Sequence, residues 1–62
     1  MVGKRIAKLR KERGWTQADL AKATRISKGY ISAIEEGRRE PPAKTLIRIV
    51  FALGTTIDEL ER

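Results

Sequence analysis

The chain has 62 residues, with 14 Lys or Arg against 8 Asp or Glu, so its net charge is +6, and it contains neither histidine nor cysteine. This length suits one small domain, and the missing residue types exclude disulfides, the usual zinc sites and histidine-based catalysis. No apolar run approaches the roughly 18 residues that a membrane-spanning helix needs, and an isoelectric point near 10.3 favours a polyanionic partner.

The first helix is predicted over residues 3–13. Val2, Ile6 and Leu9 form an apolar stripe at helical spacing. Gly14 follows, and glycine readily adopts the left-handed conformation that ends many helices. This pattern predicts an amphipathic helix with one face on a core.

Two short helices are predicted next, over residues 17–23 and 28–36. Each follows a hydroxyl side chain suited to cap it, Thr16 and Ser27 respectively. Only about four residues separate the two helices, and so short a joint forces a sharp crossing. Residues 16–37 are therefore predicted to form a helix-turn-helix that presents its second helix to a groove, for which the DNA major groove has the right width.

Two further helices are predicted over residues 42–53, ending at Gly54, and over residues 57–61, capped by Thr56. No strand pattern competes, so the predicted fold class is all-α, a compact five-helix arrangement in a single domain of residues 1–62. The residues predicted to face the core are Ile6, Leu9, Leu20, Ala21, Ile26, Ile31, Ile34, Leu46, Ile49, Leu53, Ile57 and Leu60.

The basic residues are concentrated on either side of the helix-turn-helix. Residues 1–13 carry six Lys and Arg against one Glu, and residues 38–48 carry four against one. Between them the charges balance, and residues 49–62 are net acidic. Solvation of a helix face could explain one basic block, but two blocks around a motif favour contact with a polyanion.

The outward face of helix 28–36 is predicted to read DNA bases. On a helical wheel, Gly29 and Ala33 point away from the protein, with Ser32 and Lys28 beside them. A bare centre lets the backbone approach the bases, with Ala33 against a thymine methyl, while Lys28 and Ser32 can hydrogen-bond base edges. The alternative is that Gly29 and Ala33 are ordinary surface positions, although glycine costs up to about 1 kcal/mol relative to alanine in a helix.

The combined pattern resembles the Cro/C1-type (XRE-like) helix-turn-helix regulators. The segments TQxxLA, SxxYISxIExG, a basic Arg38-Arg39 loop and TLxxIxxALG follow one another from Lys4 to Leu60. The resemblance implies a five-helix fold similar to the lambdoid phage repressor DNA-binding domain. It also implies that helix 17–23 crosses the DNA backbone while helix 28–36 reads bases. We therefore expect a sequence-specific transcriptional regulator that binds double-stranded DNA as a dimer on a palindromic operator, without a cofactor or metal. Enzymatic activity is disfavoured, because Asp19, Glu35, Glu36 and Glu40 form no recognisable acid–base pair.

The resemblance also assigns roles to individual residues. Base contacts are predicted for Lys28, Gly29, Ser32 and Ala33. Phosphate contacts are predicted at the helix starts, in helix 1 and in the basic loop, for Thr16, Gln17, Ser27, Tyr30, Arg38, Arg39 and Arg10. Gln17 matches a glutamine that also braces the first base-reading residue. Arg10 and Glu35 stand where relatives often carry an ion pair between helices 1 and 3, which would keep Glu35 from repelling phosphates.

Two positions depart from the family pattern. Arg25 stands in the turn where relatives usually have glycine, so either Arg25 adopts the left-handed conformation or the turn differs. Phe51 stands where relatives are often polar, and with Ile47 it widens the apolar arc of the fourth helix to about 200°. We predict that Ile47 and Phe51, with Ile57 and Leu60, form a two-fold dimer contact. The alternative is that the fifth helix covers Phe51.

A different class of function stays open, in which the chain acts through a protein partner. It would then be an antitoxin, or the DNA-targeting module of a larger regulator, which suits a chain that stops after so short a fifth helix. RNA binding is disfavoured because Trp15, Tyr30 and Phe51 are scattered. The first residues lack the apolar segment of a secretory signal. We expect a cytoplasmic, nucleoid-associated protein of a prokaryote or phage that binds neither membrane nor metal.

Overall fold

A computed structural model describes residues 2–62, and five α-helices account for most of them. These are α1 (Val2–Glu12), α2 (Gln17–Thr24), α3 (Lys28–Glu35), α4 (Ala43–Leu53) and α5 (Ile57–Leu60). Over residues 2–62 there is no strand, and no helix combines the length and apolar character needed to cross a bilayer. The all-α prediction is confirmed, and each predicted helix boundary lies within one residue of the observed one.

Hydroxyl side chains cap the N-termini of three of the helices. Thr16 Oγ1 accepts a hydrogen bond from the Asp19 N–H at 3.0 Å, and the Asp19 carboxylate accepts one from the Thr16 N–H at 2.9 Å. Ser27 and Thr56 each accept from the N–H three residues further on. Because these N–H groups have no partner within the helix, each cap stabilises it by about 1 kcal/mol.

The turn between α2 and α3 contains a left-handed arginine. Arg25 has φ 61° and ψ 29°, and its N–H donates to the Ala21 carbonyl. The buried Thr24 hydroxyl beside it donates to the Leu20 carbonyl at 2.8 Å and accepts from the Ile26 N–H at 3.3 Å. Of the two alternatives for this turn, the left-handed one is therefore correct. The hydrogen bonds of Thr24 hold the turn in a conformation that a non-glycine residue adopts only at a cost.

The core lies where the five helices meet. Its fully buried large side chains were all predicted to face inward: Ile6, Leu20, Ile31, Ile34, Ile49, Leu53 and Leu60. Leu9, Ala21 and Leu46 pack against this core but are only partly buried. Ile57 is partly buried but, unlike these three, does not pack against the core, so its predicted place inside the core is wrong. Truncating any of the fully buried side chains to alanine would cost about 2–5 kcal/mol.

Helices α1 and α3 approach each other closely at Gly3. A Cβ atom at Gly3 would overlap the carbonyl oxygen of Ile34 and would lie 3.1 Å from the Cα of Glu35. The obstacle is backbone, so a larger residue would push the two helices apart. Arg10, two turns further along α1, also bonds to α3, at Glu35.

Candidate nucleic-acid interface

A concave surface of about 550 Å³ lies between the first turn of α3 and the loop that follows α3. We call it the α3 concavity, and it is lined by Ser27, Gly29, Tyr30, Ala33, Arg38 and Arg39. Sequence analysis predicts base contacts for two of these residues and phosphate contacts for the other four. The fold therefore brings members of both predicted groups to one face.

The loop after α3 folds back over the helix. Gly37 takes a left-handed φ of 81°. The N–H groups of Arg38 and Arg39 then both donate to the Ala33 carbonyl, at 2.9 and 3.2 Å. Ala33 is only 6% exposed, so its predicted position at the bare centre of the outward face is wrong. A helical wheel represents α3 alone, whereas in the folded domain the returning loop makes Ala33 part of the concavity wall.

Gly29 is the open point of this surface. It is exposed, and nothing in the described part of the chain comes within 4 Å of a Cβ built there. Its φ does not fall in the left-handed region, unlike those of Gly14, Gly37 and Gly54. Neither packing nor backbone conformation within residues 2–62 therefore requires glycine at this position.

Cationic side chains line the rim of the α3 concavity. The guanidinium carbon of Arg39 lies 5.7 Å from the centroid of the Tyr30 ring, a cation–π distance. Arg38 and Arg39 are both exposed, as is Lys28 in the first turn of α3. The unpaired N–H groups at the start of a helix also favour anions. This rim can bind phosphate beside a surface that the backbone of α3 leaves open.

A buried network fixes α3 against α1 and α2. Arg10 Nε and Nη2 donate to the two Glu35 carboxylate oxygens at 2.7 and 2.9 Å, and Arg10 Nη1 donates to the Trp15 carbonyl at 2.7 Å. Gln17 Nε2 donates to Glu35 Oε1 at 3.0 Å. We call Arg10, Gln17 and Glu35 the buried network, since the side chains of its ion pair are only 8% and 6% exposed.

The buried network bears on the predicted roles of Arg10 and Gln17. The ion pair between Arg10 and Glu35 forms, but Arg10 as a phosphate contact is wrong, because it is buried and all three guanidinium nitrogens are engaged. Gln17 binds Glu35 through its amide nitrogen, which leaves its amide oxygen for the predicted bracing of Lys28, and that role stays a prediction. Thr16 and Gln17 still lie together at the start of α2.

The hydrogen bonds of this network outweigh the cost of its burial. Burial raises the pKa of the Glu35 carboxyl, but the bonds from Arg10 and Gln17 and the nearby positive charges lower that pKa below its ordinary value. The hydrogen bond to Glu35 raises the pKa of Arg10. Both partners therefore remain charged at neutral pH.

No role was predicted from the sequence for Glu36, yet it joins two predicted DNA contacts. Ser32 Oγ donates to Glu36 Oε2 at 3.1 Å, and Arg38 Nε donates to Glu36 Oε1 at 2.8 Å. We call these three residues the exposed network, because the Arg38 and Glu36 side chains are 63% and 56% exposed. The sequence signal for Glu36 is an acid at the C-terminal end of a helix, where the helix dipole disfavours negative charge.

The predicted dimer residues divide into two groups. Phe51 is 88% exposed and Ile47 is 56% exposed, one turn apart on α4. The alternative that α5 covers Phe51 is therefore wrong. Leu60 is fully buried because α5 turns it into the core, so Leu60 cannot contact a second copy. Ile57 is partly exposed.

Comparison with known proteins agrees with this geometry. A helix-turn-helix family model matches residues 6–60. The chain is similar to an uncharacterised HTH-type transcriptional regulator, y4dJ of Sinorhizobium fredii, with 40% identity over 60 residues that cover 97% of the chain and 78% of that protein. It is also similar to the immunity repressor protein of Bacillus phage phi105, with 39% identity over 59 residues that cover 95% of the chain and 41% of the repressor.

Among solved structures, the chain is similar to the clp gene regulator ClgR from C. glutamicum. The TM-score is 0.90 and the identity is 36%, over 97% of this chain and 78% of that one. The five helices and their crossing are therefore shared with a regulator whose structure was determined experimentally.

Proposed function

Because the chain belongs to the helix-turn-helix family of transcriptional regulators, we propose that it controls transcription by placing α3 in the major groove of specific DNA operators. The observation that carries this proposal is the α3 concavity. On this one surface lie the open position at Gly29, the first turn of α3 and the predicted phosphate contacts Ser27, Tyr30, Arg38 and Arg39.

The shape of this surface suggests how DNA is bound. Without a side chain at Gly29, the backbone of α3 can approach the base edges more closely than a larger residue would allow. Lys28, one residue earlier, can then donate to guanine O6 and N7. Ser27, Tyr30 and Arg39 lie around the same opening, where their donors can bind the phosphates that flank the groove.

Base contacts and phosphate contacts should affect binding differently. Contacts to base edges discriminate between sequences, whereas contacts to phosphates add affinity for every sequence and make binding depend on salt. Lys28 and Arg39 offer a clean pair for this test, because no acidic side chain is bonded to either within residues 2–62.

The test begins with selection of binding sites from random duplexes, followed by binding at several salt concentrations. We expect Lys28→Ala to relax one base position and to cost about 1–3 kcal/mol on the selected duplex alone. We expect Arg39→Ala to weaken selected and random duplexes equally and to lower the salt slope by about one. Equal losses on random DNA for both variants would contradict the assigned roles.

We further propose that two copies bind a palindromic operator through Ile47 and Phe51, with half-sites about one helical turn apart. A specific protein interface buries about 800 Å² on each partner. The whole domain exposes 4130 Å², and two side chains supply only a small part of what a stable dimer needs. We therefore expect a weak contact in solution that forms when both copies occupy DNA.

The variant Phe51→Asp tests this contact, because Phe51 projects into solvent and the fold does not depend on it. We expect affinity for a full palindrome to fall about tenfold or more. The reason is that contact with the first bound copy no longer strengthens the binding of the second. Affinity for a single half-site serves as the control and should not change. Unaltered binding to the palindrome would rule out this interface.

The same exposed face also supports a second candidate, in which Ile47 and Phe51 bind a different protein. The chain would then act as an antitoxin, or as the targeting module of a larger regulator, and it spans only 41% of the phage repressor. Sedimentation on a palindromic duplex separates the two cases. Two copies on each duplex support the dimer, whereas one copy, with a protein partner lost in Phe51→Asp, supports the second candidate.

A further inference from the structure

We infer that Glu36 selects cytosine at one position of each half-site, by accepting a hydrogen bond from the exocyclic amino group of the base. This inference rests on the proposed function, since it assumes that α3 lies in the major groove. It gives a role in specificity to a residue that the helix-turn-helix pattern alone leaves without one.

The position of the carboxylate is the first argument. Glu36 accepts hydrogen bonds from Ser32, a predicted base contact, and from Arg38, which lines the α3 concavity. Its oxygens therefore lie within 3.1 Å of one group expected at the bases and 2.8 Å of another expected at the phosphates. A carboxylate placed between these groups faces the DNA together with them.

Stability does not explain this carboxylate. An ion pair as exposed as that between Glu36 and Arg38 contributes little, because water solvates both charges nearly as well. Glu36 also caps the C-terminal end of α3, where the helix dipole disfavours an acid, and α3 has no basic residue in its last turn to offset this. Close to DNA, the same charge would in addition repel the phosphates. A residue with two local costs and little structural benefit is expected to have a role in binding.

The chemistry of the groove identifies the base. The hydrogen bond from Arg38 lowers the pKa of Glu36, so the carboxylate is ionised at neutral pH and can only accept hydrogen bonds. Guanine and thymine present acceptors to the major groove, which repel a carboxylate. Adenine presents an amino donor but places the acceptor N7 beside it. Cytosine presents its N4 amino group, which suits a carboxylate best.

Binding to a matching site then becomes an exchange of partners. Arg38 leaves Glu36 for a phosphate, and the cytosine amino group takes the place of the guanidinium. At a site without cytosine, either Glu36 loses its donor or Arg38 stays and its phosphate contact is lost. Glu36 therefore weakens binding to non-matching DNA, which increases specificity even where it does not increase affinity.

The test compares the wild type with Glu36→Gln and with the matched control Glu61→Gln, which changes the net charge equally at an exposed residue after α5. Each protein is used to select sites from random duplexes and is then titrated with selected and random DNA. In the wild type, we expect replacement of one cytosine per half-site to weaken binding about fivefold or more. Glu36→Gln should lose this preference and should gain more affinity for random DNA than Glu61→Gln does.

The outcomes separate this inference from the proposed function. If the wild type selects an operator but Glu36→Gln keeps every base preference, the inference is wrong and the proposed function stands. The inference would also be overturned if Glu36→Gln and Glu61→Gln gained equal affinity for random DNA. If the wild type selects no sequence at all, both fail. Thermal unfolding of Glu36→Gln, expected to match the wild type, verifies that a lost preference does not reflect a lost fold.

Discussion

Glu35 and Glu36 are adjacent in the chain, and each carboxylate binds one arginine and one uncharged side chain. Glu35 belongs to the buried network and pairs with Arg10, and its side chain is 6% exposed. Glu36 belongs to the exposed network and pairs with Arg38, and its side chain is 56% exposed. One residue further, at the C-terminal end of α3, the side chain is rotated by about 100°, which moves it from the contact with α1 to the exposed surface beside Ser32 and Arg38.

Burial, rather than residue type, decides what each of these ion pairs does. Removing one partner of a buried pair leaves an unsolvated charge without compensation, which is strongly destabilising. Removing one partner of an exposed pair returns the other to water at little cost. We therefore assign the buried network to the fold and the exposed network to the choice of DNA sequence.

The largest expected effect follows from Arg10→Met, which breaks the buried network from one side. Glu35 and the Trp15 carbonyl would lose their guanidinium donors. We expect a loss of about 3–5 kcal/mol in the free energy of unfolding, measured by urea denaturation. Small domains have total stabilities of about 5 kcal/mol upwards, so this variant should be largely unfolded at modest denaturant concentrations.

The double variant Arg10→Met/Glu35→Leu is the control for that result. It removes both charges and replaces them with apolar side chains of similar size, so no buried charge remains unpaired. We expect it to recover most of the lost stability. A double variant as unstable as Arg10→Met would show that packing around Arg10, rather than the unpaired charge, causes the loss.

Acid should affect the two networks differently. The pKa of Glu35 is lowered from its ordinary value of 4.5, since the bonds from Arg10 and Gln17 outweigh its burial. A carboxyl with a lowered pKa stabilises the fold above its unfolded pKa, and this contribution is lost as the pH falls through the folded pKa. We expect the free energy of unfolding, from urea titrations at each pH, to be level between about pH 7 and 5 and to decrease below about pH 4.5.

The buried network should account for most of that decrease. The double variant Arg10→Met/Glu35→Leu should reduce this decrease. The smaller slope that remains comes from Asp19 and Glu36, whose pKa values are lowered by hydrogen bonds from the Thr16 N–H and from Arg38 respectively. Glu36→Gln should retain most of the decrease. If Glu36→Gln instead removes the acid sensitivity, the division between the two networks is wrong.

The smallest expected effect is that of Glu36→Gln on stability at neutral pH. The ion pair it removes is exposed, and the change also relieves an unfavourable charge at the end of α3. We expect the free energy of unfolding to change by no more than about 0.5 kcal/mol, as measured by thermal denaturation. A larger loss would show that the exposed network supports the fold.

The helices could be predicted from the sequence because their signals are local. Thr16 and Ser27 cap the helices that they precede, and Gly54 ends α4 in the left-handed conformation. Each of these signals depends on only a few neighbouring residues. At Arg25 the sequence showed only a departure from the usual glycine and left two alternatives open, and the left-handed φ of 61° decides between them.

The rest depends on contacts between residues distant along the chain or on the path of a loop. Gly3 matters because of Ile34, which lies on another helix. Ala33 is buried because the loop after α3 turns back at Gly37, which a wheel of α3 cannot show. Ile57, which was predicted in the core from its apolar character, is only partly buried at the start of α5. In the candidate site, the sequence motif predicts most of the residues that line the α3 concavity. The hydrogen bonds of Glu36 depend on side-chain positions, which only the structure shows.

The open space at Gly29 has a consequence for how such a regulator can diverge. Because nothing in the described part of the chain lies within 4 Å of a Cβ there, a larger side chain can be introduced without repacking the core. Replacing glycine by alanine would even favour the helix by up to about 1 kcal/mol. A duplicated gene could therefore acquire a different operator through one substitution at this position, while the domain that carries it keeps the same stability and fold.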